Sequence, residues 1–437
     1  MPRLNKELGL WQGTGLLMTS LLGTGIFVVP ATAATLAGLG SLWAWSLLIF
    51  LVLPIAFTFA RLGRIYPHSG GAPHLIGRAF GGGAERFAAF LFLAVLPVGL
   101  PAALNMAAGF WHAVLPLTTT GQWWIQIATL GGVLVIGCRG AGASGRVQMA
   151  IALLIMLVTL LIIFSSSLRM DDLVAPRPVA GNWLKVGDAL AVMFWCFVGL
   201  EAFAHMGEEF HRPDRDYPLA LLLGVVLAGA IYYLHSVVVL KAGVYGDERL
   251  NGMAIPQLLA QQYGEPALWL AALLGYLSCF ASINIYLQGF ARLLWSMAEE
   301  GKLPSGLAVR SRRGAPVRAL LCVLAVCALA VSLGSHWQLS LATLIRYANG
   351  NFVLIYLFCM VAGWRLLSGV WRWLALLSAL LCALVLCTLG QSLLYALTLG
   401  GLYGGVGLLW RCADRGCLAE RRQKSAASDS SLSQSGR

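Results

Sequence analysis

Charge is what this sequence has least of. Asp, Glu, Lys and Arg make up 11% of its 437 residues, where a soluble globular chain carries roughly 25%. That shortage excludes a water-soluble fold. Hydrophobic residues at 59% and a mean hydropathy of +0.78 show what takes its place. Apolar stretches of about 20 residues recur along the whole length, each enough to cross a hydrocarbon core of about 30 Å. Inside that core every backbone N–H and C=O needs an internal partner, so such runs must be helices. Barrel strands would be about half as long and would alternate in polarity, and no such alternation is present.

Other absences narrow the function. There is no convergent acid–base, nucleophile or metal constellation and no His-Glu-x-x-His motif, so an enzyme is not expected, nor a cofactor. A channel would want a ring of filter residues and usually identical subunits around a pore, whereas this chain has an internal two-fold design. The ten cysteines offer no disulfide framework, since none falls in an external loop. Cys412 and Cys417 beside the last helix are too few and too far apart for a metal clip, so free thiols and no metal are expected. The first apolar stretch is too long for a cleavable signal and lacks a small-residue cleavage site, so insertion through helix 1 is the simpler reading.

Spans are expected near 10–36, 41–60, 87–111, 123–138, 147–168, 188–208, 218–240, 267–296, 319–334, 340–362, 371–389 and 393–410. The formal net charge of +12 is then distributed asymmetrically. Arg61, Arg64, Arg78 and Arg86 share one inner loop, and Lys302, Arg310, Arg312, Arg313 and Arg318 share another. Only Arg169, Arg177, Lys185, Lys241 and Arg249 fall in outer loops. This bias places both termini in the cytoplasm of a multi-pass inner-membrane protein. Anionic headgroups are the natural partners of that charge, and nucleic acid is not expected. One transmembrane domain covers 1–411. The external stretch from about Arg169 to Asp188, with Pro176 and Pro178, reads as a linker, and 412–437 as a disordered cytoplasmic tail.

Two spans carry the functional signal. Helix 1 has Ser20-Leu-Leu-Gly23-Thr24-Gly25-Ile26-Phe27 near its middle, and helix 6 has Phe194-Trp195-Cys196-Phe197-Val198-Gly199-Leu200-Glu201 near its own. Gly23 and Gly25 each cost a helix about 1 kcal/mol. An unwound turn in lipid also strands backbone groups unless it lines a cavity or meets a ligand. Close helix packing would explain one such segment. Two of them, five helices apart, point to an inverted-repeat carrier with a binding site at the breaks.

These residues resemble the amino acid–polyamine–organocation superfamily of transporters. The likeness lies in Gly23 to Phe27, in Tyr66-Pro67-His68-Ser69-Gly70-Gly71, in Gly199-Leu200-Glu201, and in Glu209 followed by Pro213, Arg215 and Pro218. Ala281-Ser282-Ile283-Asn284 and Arg292 of helix 8 add to it, and it runs from Glu7 to about Arg411. Lys6 to Leu10, Pro97 to Leu104 and Val192 to His205 are most similar to bacterial exporters of L-methionine and branched-chain amino acids. The resemblance implies an all-α, LeuT-like (APC) fold of about twelve helices. Its inverted five-helix repeats would span about 8–168 and about 186–362, with two further helices at about 371–410 and helices 1 and 6 discontinuous. It implies export of neutral amino acids, which sequence alone does not distinguish from import or exchange. The lysine that some proton-coupled members carry in helix 5 has no counterpart between Val147 and Leu168. Ser165 and Ser166 offer only hydroxyls for sodium, so protons are the expected coupling ion.

An amino acid zwitterion assigns tasks to the breaks. Its carboxylate suits the half-helix amides around Gly23, Thr24, Gly25 and Ile26. Its ammonium suits the carbonyls from Trp195 through Val198 to Gly199, and its side chain the rings of Phe194, Trp195 and Phe197. In characterised members the aromatic at the position of Trp195 caps the substrate; lipid or helix contact is the alternative. Glu201 is a buried carboxyl in a span, so it is either a proton carrier or a structural anchor, with His205 four residues on as its expected partner. Asn284 either lines the cavity or makes an interhelical hydrogen bond. Arg346 in helix 10 is expected to snorkel, and His235 to be a hydrogen-bonded core residue.

Overall fold

The computed structural model describes residues 6–23, 25–166, 168–174, 183–337, 341–388 and 394–403. They are helical almost throughout, with an isolated bridge between Leu8 and Phe210 and no strand among the described residues. Thr24, Cys412, Cys417, the 412–437 tail and the Arg346 side chain lie outside them, as do 175–182 with Pro176 and Pro178.

Helix 1 is two helices, α1 (Leu10–Leu22) and α2 (Val29–Ala37), with Pro30 in the first turn of α2. Proline is tolerated there because its missing N–H would have had no partner. After α3 (Ser41–Ile65) and the short α4 (Gly71–Phe80), the third expected span is also divided, into α5 (Gly82–Leu93) and α6 (Gly99–His112). The divide at 94–98 contains Pro97, which has no N–H to give a helix. Helices α7 (Thr119–Gly137) and α8 (Ala141–Ser165) follow. Helix 6 is α9 (Trp183–Met193), a 3₁₀ turn at Phe194–Phe197, and α10 (Leu200–Ala204), bent by 41°.

The second half runs through α11 (Asp216–Ala242), α12 (Glu248–Tyr263), α13 (Glu265–Glu299), α14 (Val317–Trp337), α15 (Leu341–Leu366), α16 (Val370–Thr388) and α17 (Leu394–Tyr403). The α12 helix was not expected. It is too polar to span, and it starts where Asp247 accepts the Leu250 N–H at 2.7 Å.

Six helices among the described residues are long and apolar enough to cross a membrane, and the bent helix 6 makes a seventh. The 13 residues of α1 reach only about 20 Å at 1.5 Å per residue, so a divided span fails a length test that its two halves would pass together.

The centre of the bundle is built around α1, which packs on α8, α11 and α13. Large aromatics fill that centre, with Trp45 stacked on Tyr232 at 4.7 Å and Phe203 on Tyr217 at 5.2 Å. Apolar side chains also cover the outside, Phe50 at 72% exposed and Phe164 at 82%, as a chain solvated by lipid requires. At the Lys/Arg-rich end, Glu7 N and Leu8 N both donate to Glu209 O at 2.9 Å, and His211 N donates to Leu8 O at 2.9 Å. The start of α1 is thereby tied to the exit from helix 6.

Candidate functional site

The break in helix 1 leaves carbonyls to satisfy, and neighbouring helices do so. Tyr232 Oη of α11 donates to Leu21 O at 2.8 Å, and Ser282 Oγ of α13 donates to Ser20 O at 3.1 Å. Cys279 Sγ reaches Gly23 O at 3.8 Å. Gly25 must lack a side chain, because a Cβ there would strike Tyr232 Oη and lie 2.9 Å from Cys196 Sγ. Among the described residues, the amides assigned to a carboxylate are not free in this conformation. Gly25 N and Ile26 N both donate to Leu22 O, at 3.2 and 3.0 Å, because the chain closes a tight turn that consumes them. Gly23 N donates to Thr19 O.

The break in helix 6 is held differently. Gly199 sits at φ +146°, a region that only glycine enters readily. A Cβ there would also lie 2.7 Å from Ser20 Oγ. Gly199 N donates to Glu201 Oε2 at 3.0 Å and to Tyr356 Oη at 3.3 Å, and Leu200 N donates to Tyr356 Oη at 3.2 Å. The other side of Glu201 accepts from Tyr286 Oη at 2.8 Å, and Tyr356 Oη closes on Oε2. Glu201 is fully buried. Its carboxyl stands at the start of α10, accepting the Gly199 N–H and clasped between two phenols.

His205 is not its partner. The α10 helix ends at Ala204, so the four-residue spacing leaves the helix before it can act. His205 Nδ1 instead pairs with Ser69 O of the inner loop at 2.9 Å.

Between the breaks lies a cavity of about 20 Å³, room for roughly one water. Trp195 and Val198 reach it from helix 6, Ser20 and Leu21 from helix 1. Apolar walls come from Val95, Leu100 and Ala103 at the α5–α6 divide, Ile283 of α13 and Phe352 of α15; Tyr286 stands at its edge. Phe194 and Phe197, expected here, are not among the lining residues. Both are buried, and they pack toward Tyr356 (6.1 Å) and Tyr232 (6.3 Å) because the 3₁₀ turn rotates them into the bundle. Ser20 Oγ is buried with no hydrogen-bond partner, which makes it a group waiting for one. The contribution of 94–103 was missed, although Pro97, Gly99 and Pro101 carried a signal for it. The distant tyrosines had no local signal.

Asn284 does not line this cavity. Its Nδ2 donates to Ser144 Oγ at 2.8 Å, and Gln288 Nε2 donates back to Asn284 Oδ1 at 2.8 Å. From there a buried polar ladder descends α13. Arg292 donates to Gln288 O at 3.0 Å and makes a two-pronged ion pair with Glu209. Gln148 of α8 bridges Thr19 Oγ1, at 2.5 Å, and Ala281 O, at 2.7 Å. Glu209 is therefore a second buried acid, paired where Glu201 is not. His235 meets Thr159 Oγ1 at 2.9 Å, and the Ser165 hydroxyl donates to Gln262 of α12 at 2.7 Å.

A cluster at the Lys/Arg-rich end joins the inner loop to the foot of α13. His68 and His74 stack at 3.7 Å; His68 Nε2 lies 3.6 Å from Glu300 and His74 Nδ1 lies 3.8 Å from Glu85. Lys302 bridges the two carboxylates. The spacing of His68, His74 and Glu300 would suit a metal ion. However, His68 Nδ1 accepts the Gly70 N–H at 3.0 Å, so the neutral ring carries its proton on Nε2 and presents a donor there. Burial and the neighbouring His74 push the His68 pKa down to about 4.

Comparison with known proteins places this geometry. A family model described as amino acid permease matches residues 8–398. The L-methionine/branched-chain amino acid exporter YjeH of Escherichia coli (strain K12) is 48% identical over 406 residues, covering 92% of this chain and 96% of that protein. The amino acid permease YecA of Bacillus subtilis (strain 168) is 28% identical over 90% of this chain and 94% of its own length. The putrescine transporter PotE of Escherichia coli (strain K12) is 26% identical over 82% of this chain and 83% of its own.

Proposed function

The chain belongs to the amino acid permease family of the amino acid–polyamine–organocation superfamily, and from that premise we propose that it exports neutral amino acids with apolar side chains. L-methionine, leucine, isoleucine and valine are its substrates in this reading, carried from the cytoplasm across a bacterial inner membrane. The observation that carries it is the wall of the cavity between the breaks. Trp195, Leu100, Ala103, Ile283 and Phe352 supply hydrocarbon and ring faces, and none of the lining residues is charged. A cationic side chain would enter without a counter-ion, at a cost of several kcal/mol. The 48% identity with YjeH agrees with this substrate class.

In this mechanism the cavity widens as the two breaks part. The carboxylate takes the Thr24 amide, those of Gly25 and Ile26 once Leu22 O releases them, and the free Ser20 hydroxyl. The ammonium takes the carbonyls between Trp195 and Val198. About twelve spans in two inverted repeats, both termini cytoplasmic, let one half rock against the other. The proton-motive force drives the cycle, with Glu201 taking and losing a proton as Tyr286 and Tyr356 close and open on it. Full hydrogen bonding of Glu201 also fits a purely structural clasp.

Efflux from cells loaded with a methionine dipeptide tests the direction: expression should speed methionine release, and faster uptake instead would overturn it. Glu201→Gln separates the two roles of the carboxyl. A coupling residue loses pH-dependent efflux and keeps exchange; unchanged efflux with unchanged pH dependence leaves only the clasp.

A further inference from the structure

Away from the breaks, the Lys/Arg-rich end holds a second cavity, of about 420 Å³, lined by Lys6, Arg139, Arg146, His211 and Arg313 with Glu7. Its cations come from the start of the chain, the α7–α8 loop, the second turn of α8 and the segment before α14. Glu7 offsets only one of these charges, and its carboxylate also caps α8 by accepting the Gly142 N–H at 2.7 Å. No ion pair joins Lys6, Arg139 or Arg146 to a carboxylate among the described residues. Like charges gathered around one space repel unless an anion enters it.

A second observation says which kind of anion. From Arg146 one face of α8 continues through Leu153, Leu157, Leu160 and Phe164, exposed by 54%, 63%, 48% and 82%. Arg146 stands two turns before Leu153, and steps of three or four from there to Phe164 keep these residues in one row. From Arg146 to Phe164 the row runs about 27 Å at 1.5 Å per residue, close to the thickness of the hydrocarbon core. On α7, Val135, 54% exposed, stands one turn before Arg139. The row is the lipid-facing side of α8, so the cavity at its foot lies where the headgroup of a neighbouring lipid can reach it.

We propose that this cavity holds the phosphate of an anionic phospholipid, with an acyl chain lying along the ridge of α8. The site also touches the moving parts. Lys6 and His211 flank the Leu8–Phe210 bridge that ties α1 to the exit from helix 6. A headgroup bound to them and to Arg139 braces that tie.

Native mass spectrometry of the full chain from mixed micelles of phosphatidylglycerol and phosphatidylcholine tests this. Wild-type protein should retain phosphatidylglycerol selectively, and Arg139→Gln/Arg146→Gln should bind it at least tenfold more weakly. Arg64→Gln, which removes a charge from the last turn of α3, should retain it like wild type. Should the double variant not fold, Lys6→Gln on its exposed segment should show a smaller loss of the same kind. Equal retention by wild type and the cavity variants overturns the proposal. So does displacement of the lipid by millimolar glycerol phosphate, which would mark a soluble-anion site.

Discussion

Removing a single oxygen, in Tyr356→Phe, probes the helix-6 break at its most connected point. The hydroxyl accepts the Leu200 N–H at 3.2 Å, shares the Gly199 N–H at 3.3 Å, and touches both Phe197 O, at 3.1 Å, and Glu201 Oε2. Phenylalanine keeps the ring and its edge contacts with Phe59 and Phe194, so packing is unchanged. What is lost is a hydrogen bond to a carboxyl, and the Leu200 amide is left buried without its acceptor. Each such loss costs about 1–3 kcal/mol. Together they amount to about 3 kcal/mol, or roughly two decades in the population of the clasped break. Tyr286→Phe removes only the 2.8 Å bond to Oε1 and should cost about one decade on the same scale. The assay is the initial rate of methionine exchange in proteoliposomes, with circular dichroism confirming the helix content of each variant. The reasoning is refuted if both variants exchange within twofold of wild type while Glu201→Gln is inactive, because Glu201 would then act without its phenols.

Further outcomes follow from neighbouring groups. Trp195→Ala should weaken leucine more than alanine as a substrate, by about tenfold, since only the longer side chain loses apolar contact; equal loss for both would remove Trp195 from the substrate wall. His68 ties pH to the inner loop. Its pKa falls from 6.5 to about 4 in the folded chain, so the unfolded chain takes the proton first. The stability it supports is full above pH 6.5 and is lost as pH falls toward 4, up to about 3 kcal/mol. His68→Asn keeps an acceptor for the Gly70 N–H and cannot titrate. Its melting temperature should drop less than that of wild type between pH 7.5 and 5, and parallel drops would show that His68 contributes nothing to acid sensitivity.

The interruptions of helices 1 and 6 were legible because Gly23, Gly25 and Gly199 sit in the middle of otherwise lipid-ready runs. The divide at 94–98 carried the same kind of signal in Pro97 and was hidden by the apolar residues around it. The roles of particular atoms were less legible, and for one reason. Helical spacing names a neighbour only while the helix continues, and α10 stops one residue short of His205. The true partners of Glu201 stand 85 and 155 residues away in sequence. Likewise, glycine flags an unwound turn and does not reveal that the turn itself uses the Gly25 and Ile26 amides. Phe194 and Phe197 look like cavity aromatics beside Trp195, yet a 3₁₀ turn repeats every three residues and sends them elsewhere.

Counterflow in proteoliposomes tests the central claim most directly. Vesicles preloaded with unlabelled L-methionine should accumulate labelled methionine and leucine, and should take up no labelled arginine. Accumulation of arginine without methionine would contradict a neutral, apolar-walled site between the two broken helices.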